Sequence, residues 1–131
     1  YGAIGDVVGI ATLGIGTGAR ATVVQDIKVP ASRYPESAQH IRDAQAAGQP
    51  DVLTINRAGA TSNRRDALRG VQPRAGLDRD EYPPAMFREG GSGSSVRYVN
   101  PRDNRGAGSC IGAQCQGLPN GTKVRIRADD W

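Results

Sequence analysis

The sequence has few of the residues that build metal and disulfide sites. Its 131 residues include two cysteines, Cys110 and Cys115, and one histidine, His40. That set is too small for a structural zinc site of the Cys/His type. If both cysteines lie on one helix, their spacing holds the two sulfurs too far apart to bridge, and a disulfide then requires the segment to bend or unwind. Their redox state stays open at this stage.

Long apolar runs and aromatic residues are also scarce. No apolar run approaches the roughly 20 residues that a bilayer span requires, so the sequence predicts no membrane partner. Aromatic residues make up 5% of the chain, whereas 18 glycines and 8 prolines are present. We therefore expect one domain with many turns, short elements and a core of Val, Ile, Leu and Ala.

Lysine is scarce as well, although the chain carries a net charge of +4. Fifteen of the 17 basic residues are arginine, and ten of these lie between Arg57 and Arg105. Codon composition alone explains such a bias, because Ala and Gly are also common. The functional alternative is phosphate contact, since the planar guanidinium matches a phosphate group and a positive field attracts a polyanion.

The order of the elements predicts a small α+β domain. Residues 1–20 are interpreted as an irregular, Gly-rich lead-in, without the basic start of a signal peptide, and residues 21–131 as the functional domain. Strands are predicted at 21–29, 51–57 and 95–100, with a last strand after the turn Asn120–Gly121. Helices are predicted at 35–47, at 61–69 with Thr61 or Ser62 as N-cap, and after Asp103, the N-cap candidate of the third.

His40 lies beside the inward stripe of the first predicted helix. No second histidine or cysteine accompanies it in sequence. We therefore favour a surface or helix-packing role for His40 over a catalytic one.

The segment "LDRDEYP" at 77–83 concentrates three carboxylates in a basic chain. Asp78, Asp80 and Glu81 surround Arg79 within four positions. One interpretation is a solvated turn. The other is a site that handles a metal ion or a proton, in which neighbouring carboxylates raise the pKa of a base and Arg79 opposes that shift.

The segments "SRYPESAQHIRDA", "DVLTINRAGA", "GLDRDEYPPAMFREGG", "VRYVNPRDNRGAGS" and "LPNGTKVRI" carry a family resemblance. Together, over about residues 30–127, they resemble the NucA/NucB family of secreted bacterial deoxyribonucleases. That family is similar to the wider ββα-metal endonucleases, which hydrolyse DNA or RNA with one divalent ion. The resemblance implies a hairpin and helix that carry the site, DNA or RNA as substrate, and Mg²⁺ or Mn²⁺ as cofactor.

The resemblance also implies roles for individual residues. Asn104 matches the metal-binding asparagine of the superfamily. Where the superfamily has a histidine base this chain has carboxylates, so the expected base is Asp80, with Glu81 second. The remaining candidates are Asp78 and Arg79 beside the base, Glu89 and Gln114 for the metal shell, and Arg97, Arg102 and Arg105 for phosphates.

Several positions depart from the family pattern. Arg88 stands before Glu89 where an acidic residue is usual, which weakens any role for a doubled carboxylate. Leu53 and Phe87 stand where the family members carry cysteine, which fits a pair that touches in the core and was lost together. Cys110 stands where they carry tryptophan, so we expect local helix packing to differ.

Three functions compete at this stage. The leading one is a metal-dependent, largely sequence-nonspecific DNA endonuclease, secreted or extracellular. A second is the same catalysis in the C-terminal module of a longer toxin, delivered into target cells and held by an acidic immunity protein in the producer. A third is an inactive nucleic-acid-binding module, against which the intact acidic site argues.

Overall fold

The structure is a computed structural model and describes residues 23–130. The predicted lead-in at 1–20 lies outside these residues. The elements follow one another along the chain as β1 (Val23–Lys28), α1 (Pro35–Ala46), β2 (Val52–Thr54), α2 (Ala60–Ala67), β3 (Asp78–Tyr82), β4 (Ser95–Val99), α3 (Pro101–Cys115) and β5 (Lys123–Arg127). The predicted α+β class is confirmed. Within the described range no helix is long and apolar enough to cross a bilayer.

The strands form two small sheets. In the first, of order β1-β5-β2, β5 pairs parallel to β1 and antiparallel to β2, so the sheet is mixed. The second is the antiparallel hairpin of β3 and β4, and α3 begins two residues after β4 ends. The hairpin and α3 together make a ββα unit.

One apolar core joins the two sheets with α1 and α3. Ile27 and Ile126 from the mixed sheet, Ile41 from α1 and Ile111 from α3 are buried in one cluster. Tyr82 anchors the hairpin to it, with its hydroxyl donating to the backbone oxygen of Pro50 at 2.8 Å. Burial raises the pKa of Tyr82 to about 12, so this hydroxyl stays protonated and the anchor persists at neutral pH.

The departures from the family pattern fit this core. Leu53 and Phe87 are both fully buried in the same cluster, as expected for positions that replace two cysteines. Cys110 and Cys115 both lie on α3 and both are free thiols, in agreement with the distance argument from their spacing.

Two predicted helix starts are wrong. The helix predicted from Thr61 or Ser62 begins at Ala60, because a short 3-10 turn at Arg57–Gly59 already starts the chain winding. The third helix begins at Pro101, and its N-cap is Asn100, whose side chain accepts from the backbone N–H groups of residues 102 and 103. Proline at the first helical position leaves no unpaired donor there.

Asp103 instead holds α1 against α3. Its two carboxylate oxygens accept from the backbone N–H groups of Glu36 and Ser37, each at 2.9 Å, at the start of α1. In return, Glu36 accepts from the backbone N–H of Asn100 at 3.0 Å, just before α3. Each helix start is therefore fixed by a carboxylate of the other helix.

The two helices also approach closely at Gly106. A Cβ atom built on Gly106 would overlap the ring of Tyr34, which precedes α1. We therefore expect Gly106→Ala to lower the free energy of unfolding by about 1–3 kcal/mol, the usual cost of overpacking. Chemical denaturation of the purified variant measures this.

Two other glycines of α3 provide matched controls. A Cβ atom on Gly108 or Gly112 meets no other atom within 4 Å. Because alanine is the better helix former, Gly108→Ala and Gly112→Ala should stabilise the protein by about 0.5–1 kcal/mol. Destabilisation by all three substitutions alike would contradict the proposed contact between Gly106 and Tyr34.

Candidate active site

The acidic segment forms β3, and the strand divides its charged residues between two faces. Side chains alternate along a strand, and the register places Asp80 opposite Arg97 on β4. Asp78 and Asp80 therefore share one face, whereas Arg79 and Glu81 share the other. The solvated-turn interpretation is wrong, because all four residues belong to a paired strand.

Asp78 is fully engaged on the first face. Its carboxylate accepts from Asn104 Nδ2 at 3.0 Å, and from Arg105 Nε and Nη2 at 3.0 and 3.1 Å. The bidentate Arg105 guanidinium, helped by the Asn104 amide, holds the pKa of Asp78 below its usual range. A carboxylate stabilised as an anion in this way is a weak base. Its evident role is to orient Asn104 and Arg105.

Asp80 keeps one oxygen available on the same face. Its Oδ2 lies 2.7 Å from Nδ1 of His40, which is fully buried on α1. Among the described residues no hydrogen bond reaches the other oxygen, Oδ1, and one fifth of the Asp80 side chain is exposed to solvent. This carboxylate is thus held at one oxygen and free at the other.

Asn104 presents a free acceptor next to this carboxylate. Because a carboxylate only accepts hydrogen bonds, the contact with Asp78 assigns Nδ2 to that side and leaves Oδ1 turned away. No described residue donates to this oxygen. Asp78 and Asp80 are two residues apart on one face, or about 7 Å along the strand, so the Asn104 amide that Asp78 holds lies on the same side of the hairpin as Asp80.

The other face of β3 is turned toward the segment that leads from α2 into the strand. Arg79 donates to the backbone oxygen of Val71 at 2.8 Å. On β4, the Tyr98 hydroxyl donates to the backbone oxygen of Gln72 at 2.7 Å, and the guanidinium of Arg74 lies 3.9 Å from the centre of the Tyr98 ring. Arg79 thus anchors this segment and does not reach the face of Asp80.

Glu81 is the least exposed of the three carboxylates, with 9% of its side chain accessible. Burial raises the pKa of Glu81 above its ordinary value of 4.5, while the Arg64 guanidinium, 3.6 Å away, opposes the rise. A raised pKa means that the folded state binds the proton more tightly than the unfolded state does. Glu81 therefore stabilises the fold below about pH 4.5, and this contribution is lost as the pH rises through the folded pKa.

We accordingly expect Glu81→Gln to gain stability relative to the wild type as the pH rises from about 4.5 toward neutrality. The glutamine has no proton to lose, so its free energy of unfolding lacks this decline. Urea denaturation of both proteins across that pH range measures the difference. A constant difference at every pH would show that the folded state does not perturb Glu81.

The three arginines predicted to bind phosphate differ in their partners. Arg97 pairs with Asp43 of α1 at 2.9 Å, and Arg105 pairs with Asp78. Arg102, in the first turn of α3, is exposed, and its guanidinium has no partner among the described residues. Arg105 follows Asn104 on α3 and contacts the same carboxylate, Asp78, whereas Arg102 lies about 200° around the helix from Asn104.

The structure does not bring Glu89 and Gln114 to this cluster. Both oxygens of Glu89 accept from Thr54, from its backbone N–H at 2.8 Å and its hydroxyl at 2.9 Å, which ties the loop to β2. Gln114 forms two hydrogen bonds with the backbone of Lys28 on β1. It lies ten residues beyond Asn104 on α3, or about 15 Å along the helix axis.

His40 is the member of the cluster that the sequence did not indicate. Of the two roles expected for His40, surface exposure is wrong, because the ring is fully buried, whereas packing of α1 agrees with its position. Its two nitrogens contact Asp80 on β3 and Ser95 on β4, at 2.7 and 2.9 Å. Forty residues separate His40 from Asp80, so no local spacing could have found the pair. The available signal was its place beside the inward stripe of α1.

The donors at the cluster fit a hard, hydrated cation. Among residues 23–130 no group of three or more His, Cys, Asp or Glu side chains is arranged to hold a metal ion. What the cluster offers is an unpaired amide oxygen, from Asn104, beside carboxylates. Mg²⁺ prefers oxygen ligands and keeps several of its waters, so a site with few protein ligands suits Mg²⁺ or the similar Mn²⁺.

An antiparallel hairpin and the helix after it form a ββα unit, with carboxylates on the strand and an asparagine on the helix. Comparison with known sequences is more specific. Residues 34–127 match the sequence model of the family Deoxyribonuclease NucA/NucB. The chain belongs to this family, which confirms the resemblance.

A curated relative supports the same assignment. The chain is similar to the "DNA-entry nuclease" of Bacillus subtilis (strain 168), with 52% identity over 95 residues. The aligned part covers 72% of this chain and 65% of the relative. The chain thus spans about two thirds of the length of that relative.

Proposed function

We propose that this chain is a metal-dependent endonuclease that hydrolyses phosphodiester bonds of DNA without strong sequence preference. The observation that carries the proposal is that Asp78 and Asp80 share one face of the hairpin, where Asp78 holds the Asn104 amide and Asp80 keeps one oxygen free. Membership of a deoxyribonuclease family and the name of the relative support DNA as the substrate. The net charge of +4 favours a polyanion.

In the proposed mechanism Asp80 is the general base. Its Oδ1 accepts a proton from the water that attacks phosphorus, the P–O bond to the leaving sugar oxygen breaks, and solvent water protonates that oxygen. The hydrogen bond from His40 keeps Oδ2 in place. Asp78 is less suited to this step, because Arg105 and Asn104 stabilise its anion. Glu81 points to the opposite face of the strand, so it serves as the second candidate only.

Asn104 would hold the cation through Oδ1, with water completing the shell. When bound there, a divalent cation supplies charge neutralisation at the scissile phosphate. Arg105, next to Asn104 on α3, would bind a flanking phosphate if DNA displaced its partner Asp78. Arg102 would bind a phosphate from the other side of the helix. Arg97 is held by Asp43 and would contribute only if DNA displaced that partner.

The metal assignment can be tested without measuring activity. Mn²⁺ binding, followed by the loss of the EPR signal of free Mn²⁺, should weaken at least about tenfold in Asn104→Ala, because that substitution removes the proposed ligand. Gln114→Ala and Glu89→Gln should leave the affinity within about twofold, since both side chains are bonded elsewhere.

Two outcomes of that titration, and one of parallel DNA-binding and cleavage assays, are informative. Unchanged Mn²⁺ affinity in Asn104→Ala would show that Asn104 is not a metal ligand. Weakened binding by Gln114→Ala or Glu89→Gln would restore that residue to the shell. A chain that binds DNA but cleaves neither DNA nor RNA with any metal ion would be the inactive binding module.

The biological setting remains a proposal. The name of the relative refers to DNA entry, which supports a secreted or extracellular location for this chain. Delivery as a toxin module predicts that expression harms cells lacking an acidic immunity protein. Harmless expression of a protein that is active in vitro would count against the toxin version.

A further inference from the structure

His40 forms a bridge between the two strands of the hairpin and α1. Its ring has no exposed surface, yet both nitrogens have partners, Asp80 Oδ2 at 2.7 Å and Ser95 Oγ at 2.9 Å. The register places Ser95 opposite Tyr82, one pleat from Asp80 on the same face. A buried polar ring must find such partners, but packing alone does not require that one of them is the proposed base.

His40 is also the only side chain that the structure gives Asp80 as a hydrogen-bond partner among residues 23–130. Arg97, directly opposite on β4, is turned to Asp43 of α1. Arg105 of α3 pairs with Asp78, which lies two residues before Asp80 on β3. Without His40, nothing in the described part of the protein would fix the orientation of the Asp80 carboxylate.

We propose that His40 is a positioning residue for the reaction: its Nδ1–H holds Oδ2 of Asp80 so that Oδ1 faces the attacking water, and Ser95 fixes the ring through Nε2. The proposal rests on the proposed role of Asp80 as general base. His40 itself touches neither water nor phosphate, because its ring is inaccessible. An ionised carboxylate requires the proton on Nδ1, which fixes that side of the ring as the donor.

Two substitutions of His40 separate positioning from packing. Asparagine places an amide close to the position of Nδ1 and loses the Ser95 contact, whereas glutamine places its amide close to Nε2 and loses the Asp80 contact. Positioning through Asp80 predicts that His40→Gln lowers kcat on a DNA duplex by about 100-fold with KM unchanged. His40→Asn should retain at least about tenfold more activity than His40→Gln.

Two further variants keep the test valid if His40 variants fold poorly. Ser95→Ala frees the far side of the ring and should lower kcat by about two- to tenfold, again at constant KM. Ile41→Val, at the neighbouring buried position on α1, is the control for a general loss of packing and should keep kcat while lowering Tm. Circular dichroism at the assay temperature shows that each variant is folded.

A double substitution ties the effect to Asp80. If His40 acts through the base, His40→Gln should cause no further loss in an Asp80→Asn background, because the two losses are not additive. Additive losses would overturn the proposal, as would full kcat in folded His40→Gln and Ser95→Ala, or better retention by glutamine than by asparagine. If Asp80→Asn is itself fully active, the base assignment fails and the inference with it. If Asp80→Asn is inactive while the folded His40 variants keep full kcat, only the inference fails.

Discussion

Asp80→Asn is expected to lower the rate of DNA cleavage by about 10²- to 10⁴-fold, the range that a positioned general base contributes. The amide keeps the shape of the side chain and a partner for His40, but it has no lone pair basic enough to take a proton from water. The measurement is single-turnover cleavage of an end-labelled duplex at saturating protein. The metal affinity should stay within about twofold, because the proposed ligand is Asn104.

Two neighbouring carboxylates provide the controls. Asp43→Asn removes an exposed aspartate on α1 that pairs with Arg97, and its cleavage rate should stay within about threefold of the wild type. Glu81→Gln alters the next residue along the strand, on the opposite face. Loss of activity in Glu81→Gln with full activity in Asp80→Asn would move the base to Glu81, the second candidate.

Asp103→Ala should produce the largest loss of stability. The substitution leaves two N–H groups at the start of α1 without their carboxylate, and a hydrogen bond to a charged group contributes about 1.5–3 kcal/mol. We therefore expect the free energy of unfolding to fall by about 3 kcal/mol or more. Thermal unfolding should show a Tm lower by at least about 10 °C.

The loss should also affect cleavage at temperatures where the variant is still folded. Asp103 precedes Asn104 on α3, and its two hydrogen bonds fix the helix that carries His40. Asp66→Ala, which removes a partly exposed aspartate of α2 paired with exposed arginines, should change stability by less than about 0.5 kcal/mol. Equal stability of Asp103→Ala and Asp66→Ala would show that the contact between α1 and α3 is not what holds the helices together.

Local sequence patterns were sufficient for most of the fold. Pro35 and Glu36 at the start of α1 and the Asn120–Gly121 turn before β5 are local signals, and each element formed where they indicated. The strand predicted at 51–57 is shorter, at Val52–Thr54. The residues after Thr54 leave the sheet: Ile55 forms an isolated bridge with Phe87, and a 3-10 turn begins at Arg57.

The site was harder to predict because its contacts are distant in sequence. The family resemblance indicates Asp80 and Asn104, but it does not show that the charged residues of the acidic segment lie on two different faces of a strand. The pairing of β3 with β4 decides which carboxylates face α1 and α3, and that register comes from tertiary structure. Period-two alternation alone would have separated Asp80 from Glu81 once the segment was taken as a strand.

Two residues show what sequence reasoning could not supply. Asp103 is of a residue type that often caps helix starts, yet its carboxylate accepts from the N-terminus of α1, a helix that begins 68 positions earlier. His40 has no chemically suggestive neighbour in sequence, yet it contacts the proposed base across 40 positions. Each of these side chains forms its hydrogen bonds with a different helix or strand, and these contacts arise only when α1 packs against the hairpin and α3.

The proposed roles of the metal ion and of Asp80 are tested most directly by the conversion of supercoiled plasmid to nicked and linear forms, measured for the wild type and for Asp80→Asn. Each protein is assayed with Mg²⁺, with Mn²⁺ and with excess chelator, and RNA is tested in parallel. We expect that the wild type cleaves plasmid only when a divalent cation is present, and that Asp80→Asn is nearly inactive under every condition. Cleavage that persists in chelator, or equal rates for the two proteins, would contradict these roles.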